Sequence, residues 1–488
     1  MEPVSMYKKR LILVNLSELY SKFKQENENV KIGFSRFAQL RPRHCVLAGR
    51  SGTHTVCVCV YHENVKLMLD AINIEKIMEL SNLKLKDYHD CLKVLMCSEV
   101  TTECNFNECS NCPGVEILKK HLMDLPDKDC VEEIRFQHWQ NTDRTTLVTE
   151  VANVDDFVDR LCEKIVDLKT HDFYAKSQTL FPKNLKSNLN EGDFLIMSDF
   201  AENYAYVIQN ATQAAHWNND QTSIFTVIVN YKFENEIKHI SMAIISDNLQ
   251  HDTVAVYVYQ QIIIAYLKEH FSPKFIHYFT DGASQHFKNK YNFINLLHHK
   301  EDFNISADWN FHATAHGKGP CDGIGGNLKR LAARASLQRS SENQILNAPA
   351  LYEWAKINLK DTVIFFSSKE DHVQMTQTLA ERFKEAKTIP GTLEYHSFSP
   401  NGNGQLCLKR ISDDTEFQLF PKNKNNLKRK NQNIREKCQK KYHQKRLKSK
   451  KKLDSIPYTF YTMLVHQLAS ILNFPPPNLN SLITRTFS

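Results

Sequence analysis

Three apolar segments of strand length follow one another between residues 193 and 247, and they constrain the fold more than any other feature. They read DFLIMSDF, SIFTVIVNYKF and IKHISMAIISD, and they are rich in β-branched and aromatic residues. The next segment, DTVAVYVYQQIIIAYLKEHF, is long enough for a buried helix, and KFIHYFTDG predicts a fourth strand. A three-stranded antiparallel meander with a helical crossover places the fourth strand parallel to the first. The sequence therefore predicts an α/β domain with a mixed sheet flanked by helices.

Composition divides the 488 residues into five predicted regions. Seven of the thirteen cysteines lie between residues 57 and 112, whereas VDDFVDRLCEKIVDL, at 154–168, has the spacing of an amphipathic helix. The predicted regions are a Cys-rich domain at 1–130, a helical connector at 131–190, the sheet domain at 191–390, a small β element at 391–421, and a basic tail with a C-terminal extension at 422–488.

One aspartate in each of three sequence blocks directly follows a predicted strand or opens a predicted helix. The blocks are SDFAENY, TDGASQHFKNKYNF and FHATAHGKGPCDGIGGNLKR, and the acids are Asp199, Asp281 and Asp322. Carboxylates at strand ends converge when their strands are neighbours in one sheet. The alternative is that these acids are helix caps or loop residues, and Glu353 is a second candidate for the third acid.

The same blocks carry a resemblance to a known family. DFAENY, DGASQHFKNKYNF and HGKGPCDGIGG resemble transposon-derived proteins of animal genomes, and the order of elements looks like the ribonuclease H-like fold of DDE-type transposases and retroviral integrases. The resemblance implies that Asp199, Asp281 and Asp322 are catalytic and hold Mg²⁺ or Mn²⁺ for DNA cleavage and strand transfer at transposon ends. The third acid departs from the integrase pattern, which has Glu there.

Several residues around the three acids are candidates for supporting roles. Five of the fourteen glycines lie within residues 317–326, which predicts a close approach of another group to the backbone or a tightly packed helix. His316 and Glu202 are predicted auxiliary residues of the metal site. The basic side chains near the acids are candidates for DNA phosphate contacts, or else ordinary solvated surface: Lys288, Lys318, Lys329 and Arg330.

The N-terminal cysteines predict zinc, because thiolate and imidazole are the ligands that zinc prefers. One predicted site consists of Cys97, Cys104, Cys109 and Cys112. A second set has three members and needs a fourth ligand, either Cys91 or His54: Cys57, Cys59 and His62. The alternative is that these thiols are buried without metal.

The charge of the chain is concentrated in one segment. Residues 422–452 hold 15 of the 62 Lys and Arg and a single acid, which gives +14 and leaves −7 for the rest (47 basic, 54 acidic). This composition predicts a disordered basic tail that binds DNA non-specifically and directs nuclear import. No apolar run approaches the roughly eighteen residues of a membrane span, and no secretory signal is evident, so we expect a soluble nuclear protein without a membrane partner.

Two other functions remain open at this stage. A domesticated DNA-binding or chromatin-binding protein would keep the fold without catalytic turnover, and a ribonuclease H-like nuclease would act on RNA or a hybrid. The sequence also leaves open whether the chain forms a homo-oligomer.

Overall fold

The computed structural model describes residues 10–12, 19–20, 23–24, 26–27, 30–42, 45–47, 58–74, 85–123, 132–141, 143–208, 220–317, 319–340 and 343–421. Met1–Gln418 form one compact unit and Leu419–Ser488 a second. The predicted basic tail and C-terminal extension at 422–488 lie outside the described residues.

The helices and strands are numbered in chain order. The helices are α1 Phe34–Gln39, α2 Val60–Ala71, α3 Tyr88–Leu95, α4 Thr102–Asn105, α5 Val115–Met123, α6 Val154–Ser187, α7 Thr253–His270, α8 Lys290–Phe303, α9 Pro320–Gln338, α10 Ala348–Asn358 and α11 Lys369–Lys384, with a short 3₁₀ helix at Thr392–Glu394. The strands are β1 Arg10–Ile12, β2 Cys45–Leu47, β3 Glu133–Asn141, β4 Thr145–Asn153, β5 Asp193–Ala205, β6 Gln221–Phe233, β7 Glu236–Ser246, β8 Phe275–Thr280, β9 Ser306–Phe311, β10 Val363–Ser367, β11 Ser397–Pro400, β12 Leu406–Lys409 and β13 Gln418–Phe420.

A large mixed sheet flanked by helices forms the centre of the first unit. Eight of its strands run in the order β10, β7, β6, β5, β8, β9, β11 and β12. β5, β6 and β7 form an antiparallel meander, α7 follows it, and β8 pairs parallel to β5. The predicted meander and helical crossover are therefore confirmed. β9 continues the parallel part of the sheet beside β8.

The sequence of the central elements explains their positions. β6 is buried almost throughout, which suits its continuous apolar run and its place between two neighbouring strands. α7 begins after Asp252, whose Oδ1 accepts a hydrogen bond from the Ala255 N–H at 2.9 Å, and it carries Lys268 and His270 in its last turn. An acceptor at the first turn and cations at the last turn both stabilise a helix.

The N-terminal half of the described chain has its own apolar core. Its buried residues come from α2, α3, α5, β3 and the first half of α6: examples are Val65, Leu92, Leu118, Phe136 and Leu161. The 34-residue helix α6 then continues to the sheet, where Phe181 and Leu185 pack against Leu195 and Phe279. One helix therefore packs against both cores.

Two predicted regions differ from the structure. Residues 133–153 of the predicted helical connector form the hairpin β3–β4, and five of the nine residues of TTLVTEVAN in β4 are β-branched, which favours a strand. The predicted small β element at 391–421 is not separate, because β11 pairs with β9 of the main sheet. Phe398 of β11 is fully buried and stacks on Phe293 of α8 at 4.2 Å between ring centroids, which fixes that strand to the sheet.

No helix in the described part of the chain combines the length and the apolar character that crossing a bilayer requires.

Candidate functional site

Asp199 and Asp281 lie at the same level of two neighbouring strands. β5 and β8 run parallel, and the last residues that pair between them are Met197 and Phe279. Each acid lies two residues beyond that pair in its own chain. Because parallel strands keep their register, the two acids lie beside each other at one end of the sheet. The predicted origin of these acids from adjacent strands is confirmed.

Asp322 reaches the same end of the sheet from a helix. It lies in the first turn of α9, where its Oδ2 accepts a hydrogen bond from the Gly319 N–H at 2.8 Å. In the same turn, the Cys321 Sγ donates to the Met197 carbonyl oxygen of β5 at 3.3 Å. Met197 is two residues from Asp199, so this contact holds the first turn of α9 beside the first acid.

The three acids, which we call the acidic site, interact electrostatically. Burial, together with the charges of Asp281 and Asp322, raises the pKa of Asp199 from 3.8 to about 7. Burial disfavours the charged form of a carboxylate, and like charges nearby add to that cost. Asp199 therefore sits in the field of both other acids.

Few positive groups offset this charge. Among the residues that the structure describes, Asp199 and Asp322 make no ion pair, and Asp281 has only His286, with Nε2 3.8 Å from Oδ1. Burial lowers the pKa of His286, which favours its neutral form. Three acids with little compensating positive charge therefore lie together at this end of the sheet, and carboxylate oxygens are ligands that hard divalent cations accept in general.

The oxygens of the acidic site are more widely spread than the ligand atoms of a single-ion site. Two Cys/His groups in the described chain have all their ligand atoms within 4.8 Å of one another, and the acidic site is not one of them. As the structure places them, the three carboxylates therefore do not form a single-ion group of the kind that the two Cys/His groups form.

Two glycines of the predicted glycine block are required by close contacts. A Cβ at Gly317 would lie 3.1 Å from the Cβ of Asp281, and a Cβ at Gly325 would lie 3.0 Å from the Cβ of Ala201 on β5. Gly325 thus lets α9 pack tightly on the sheet, and Gly317 lets its loop pass over Asp281.

The residues predicted to contact phosphate, and the predicted auxiliary residue Glu202, differ in their exposure to solvent. Lys288 is only 7% exposed, its Nζ lies over the Phe311 ring, and burial lowers its pKa to about 8, so it does not lie on the surface where we predicted a DNA contact. The polar sequence around Lys288 suggested a surface position, but the folded chain buries its side chain. Lys329 is half-buried near Glu202, which is exposed.

The remaining candidates lie on helices or outside the described chain. Arg330 is exposed on α9 and donates to Asn327 Oδ1 at 3.0 Å. Glu353, the second candidate for the third acid, is exposed on α10. The charges that help to raise the pKa of Asp199 are those of Asp281 and Asp322. Lys318 lies outside the described residues.

The four predicted zinc ligands of the N-terminal region lie together in a group that we call the cysteine site: Cys97, Cys104, Cys109 and Cys112. The Cys97 Sγ lies 3.7 Å from both the Cys109 Sγ and the Cys112 Sγ. A tetrahedral zinc with Zn–S bonds of about 2.3 Å separates its sulfurs by about 3.8 Å. The cysteine site can therefore bind a metal such as zinc.

A second group, which we call the mixed site, joins distant parts of the chain: Cys59, His62, His171 and His316. Sequence reasoning paired Cys59 and His62 with Cys91 or His54, but Cys91 is buried in the N-terminal core, and Cys57 and His54 lie outside the described residues. His316 contacts these residues rather than the acidic site. The Cys59-x-x-His62 spacing was a usable signal, whereas nothing in the sequence marked His171.

Three families match parts of the chain. Residues 4–49 match the domain of unknown function DUF8699, residues 60–169 match the domain of unknown function DUF8700, and residues 178–412 match the domain of unknown function DUF8701. The acidic site falls within the third match and the cysteine site within the second. No curated protein and no solved structure matches the chain.

Proposed function

We propose that this chain is a transposase-like enzyme that cleaves DNA and transfers strands with Mg²⁺ or Mn²⁺ at the acidic site. The observation that carries the proposal is the convergence of Asp199, Asp281 and Asp322 at one end of the sheet. The strand order β7, β6, β5, β8, β9, with a parallel step after the meander, supports the ribonuclease H-like fold that the sequence motifs resemble.

The reaction needs no covalent group from the protein. In cleavage, a water oxygen bonds to phosphorus and gives up a proton. The bond from phosphorus to the 3′ oxygen of the neighbouring nucleotide breaks, and this oxygen takes up a proton to become a 3′-hydroxyl. In strand transfer, that 3′-hydroxyl oxygen bonds to the phosphorus of a second strand and displaces another 3′-hydroxyl. Divalent cations held by Asp199, Asp281 and Asp322 would stabilise the charge that develops on the attacking and leaving oxygens.

Each acid has a role that follows from its position. The charges of both other carboxylates act on Asp199, so it suits a ligand shared by two cations. Asp281 lies 39% exposed at the end of β8, and Asp322 is exposed on α9, so both can face a bound phosphodiester. Gly317, packed over Asp281, lets the chain pass close to that position.

DNA is the partner that this chemistry requires, and the charge distribution supports it. The segment at 422–452 carries 15 basic residues, outside the described part of the chain, and Arg330 is exposed on α9, the helix that carries Asp322. Phosphate contacts dominate the affinity of proteins for DNA. We extend the proposal to nuclear import through this segment, where its composition suits an import signal.

The proposal is tested with DNA that carries the sequences flanking the gene on both sides. Wild-type protein should cut and join this DNA with Mg²⁺ or Mn²⁺, whereas Asp281→Asn should lose both activities and keep its DNA affinity, because removing a negative charge does not weaken phosphate contacts. Deletion of 422–452 should instead weaken binding and reduce its dependence on salt. Wild-type protein that binds this DNA with neither cleavage nor joining would favour the domesticated DNA-binding protein.

A further inference from the structure

The mixed site brings three imidazoles and one thiol around a common point. The ring centroids of His62, His171 and His316 are 5.2–5.3 Å from one another in all three pairs. The Cys59 Sγ lies 3.1 Å from the His171 Nε2, which lies 3.2 Å from the His316 Nε2. Four ligand atoms of the types that zinc prefers therefore lie within 4.8 Å of one another.

These distances are close to those around a tetrahedral zinc. With Zn–N bonds of about 2.0–2.1 Å and a Zn–S bond of about 2.3 Å, two nitrogens lie about 3.3–3.4 Å apart and a nitrogen and a sulfur about 3.5 Å apart. The His171–His316 nitrogen distance of 3.2 Å is near the first value, and the Cys59–His171 distance of 3.1 Å is somewhat shorter than the second. A small adjustment of side chains would admit the ion.

His62 shows an arrangement that commonly supports a metal ligand. Its Nε2 lies 3.3 Å from Asp172 Oδ1, and Asp172 also pairs with Lys176 at 2.6 Å. The His62 Nδ1 is buried and has no hydrogen-bond partner in the described chain. A carboxylate on one ring nitrogen orients the other nitrogen toward a metal and increases its basicity. Zinc would satisfy the nitrogen that is otherwise left without a partner.

Neighbouring rings enclose the site. Tyr61 stacks on His171 at 4.3 Å between ring centroids, and Tyr88 meets His62 edge-on at 5.3 Å. Cys59 is 8% exposed. The three histidines are half-buried. Four protein ligands are typical of structural zinc rather than catalytic zinc, which keeps an open position.

We propose that Cys59, His62, His171 and His316 bind a second structural zinc ion, which fastens the N-terminal helices to the loop beside the acidic site. Cys59 and His62 lie at the start of α2, His171 lies on α6, and His316 lies in the loop between β9 and α9. The next residue in that loop is Gly317, which packs on Asp281. The ion thus holds in place the segment that borders the acids.

This site does not depend on the proposed DNA chemistry. Zinc binding here would hold whether the acidic site cuts DNA or only binds it, and it can be measured without any activity assay. The competing interpretation is that Cys59 is a reactive thiolate paired with His171, which would leave it open to alkylation.

The test measures zinc per chain in the full-length protein. We expect two ions in the wild type, one for each Cys/His group, and loss of one ion in His171→Ala and in His316→Ala. His316 lies in a loop outside the N-terminal core, so its variant separates ligand loss from misfolding. His89→Ala, which changes a histidine whose side chain is 45% exposed, is the matched control and should keep both ions.

Two further readouts identify the site. In the Co²⁺-substituted protein, the sulfur-to-metal absorption should remain mostly intact in His171→Ala, because the mixed site supplies one thiolate and the cysteine site four. Amide exchange of residues 312–317 should speed up in His171→Ala, although His171 lies on α6. Zinc content unchanged from the wild type in both histidine variants, or rapid alkylation of Cys59 in zinc-replete protein, would overturn the proposal.

Discussion

The cysteine site and the acidic site are built in opposite ways. The four thiols of the cysteine site lie within 16 consecutive residues, from Cys97 to Cys112. The acidic site draws its three acids from β5, from the residue after β8 and from the first turn of α9, and its first and last members are 123 positions apart (322 minus 199). A local site can form from one short segment, whereas a dispersed site exists only after the sheet has formed.

The ligand types extend this difference to function. Four thiolates can close a tetrahedron around zinc and leave no position for a substrate, so such a site stabilises structure. Carboxylates bind hard cations that keep water or phosphate in their shells, so the acidic site can leave positions open. Breaking the first site should therefore damage folding, and breaking the second should damage chemistry while sparing the fold.

The largest expected effect comes from Cys109→Ser at the cysteine site. Structural zinc contributes an apparent binding free energy of about 10–16 kcal/mol in zinc-finger peptides, so losing it should unfold the segment from 97 to 114. Zinc content should fall by one ion per chain, and amide exchange in that segment should become rapid. Cys407→Ser, at a half-buried cysteine on β12, is the matched control and should change neither. Unchanged zinc in Cys109→Ser would make the four thiols ordinary packing residues.

The next largest effect should come from Asp322→Asn. We expect cleavage to fall by about 10²–10³-fold or more, because lost charge stabilisation of several kcal/mol corresponds to tenfold per 1.36 kcal/mol. The asparagine side-chain oxygen can still accept the hydrogen bond from the Gly319 N–H, so thermal stability should change little. Glu353→Gln is the control, and activity within twofold of wild type is expected there. Loss of cleavage in Glu353→Gln with little change in Asp322→Asn would make Glu353 the third acid.

Asp199→Asn should change stability in a way that depends on pH. The pKa of Asp199 is raised in the folded chain to about 7 from 3.8, so the folded state holds a proton that the unfolded state releases. Without bound divalent cations, the free energy of unfolding should therefore decrease as pH rises from about 4 to 7. At pH 8 we expect Asp199→Asn to be more stable than wild type by about 1–3 kcal/mol, after allowing for partial solvation, and at pH 4 about equal. Urea unfolding with the zinc sites filled measures this, and a less stable variant at pH 8 would contradict it.

The smallest expected effects come from two glycine variants, which should change the free energy of unfolding in opposite directions. Gly325→Ala places a Cβ 3.0 Å from the Ala201 Cβ, and overpacking of this kind costs about 1–3 kcal/mol, partly offset by about 1 kcal/mol of helix propensity. Gly323→Ala, in the same helix, meets nothing within 4 Å and should be stabilising by about 0.5–1 kcal/mol. Chemical unfolding of both variants checks the sign. Equal stabilisation in both would mean that α9 does not press on β5 as described.

The sequence predicted the centre of the fold because its strands are long, apolar and consecutive. β5, β6 and β7 can pair in chain order, and α7 carries its own cap and apolar surface, so local patterns suffice. The hairpin at 133–153 was missed because its weak alternation lies beside the strong helical pattern of α6. The attachment of β11 to β9 was missed because it depends on Phe398 and Phe293, which are remote in sequence.

The candidate sites divide along the same line. The cysteine site was predictable because its four thiols are close in sequence, and the grouping of the three acids because each lies on or directly beside a recognisable strand or helix. The mixed site was only half predictable: Cys59 and His62 share one helical turn, whereas His171 and His316 are brought to them by α6 and a loop of the sheet domain. Burial was also invisible from sequence, as Lys288 shows.

The most direct test of the acidic site is a titration of zinc-loaded, full-length protein with Mn²⁺. The electron paramagnetic resonance signal of free Mn²⁺ measures how much of the ion is bound. Wild-type protein should bind Mn²⁺, and Mg²⁺ should compete for it. The double variant Asp199→Asn/Asp281→Asn should lose this binding, whereas Asp361→Asn, a change at an exposed acid elsewhere, should retain it. Equal Mn²⁺ binding by wild-type protein and the double variant would contradict a divalent-cation site formed by these carboxylates.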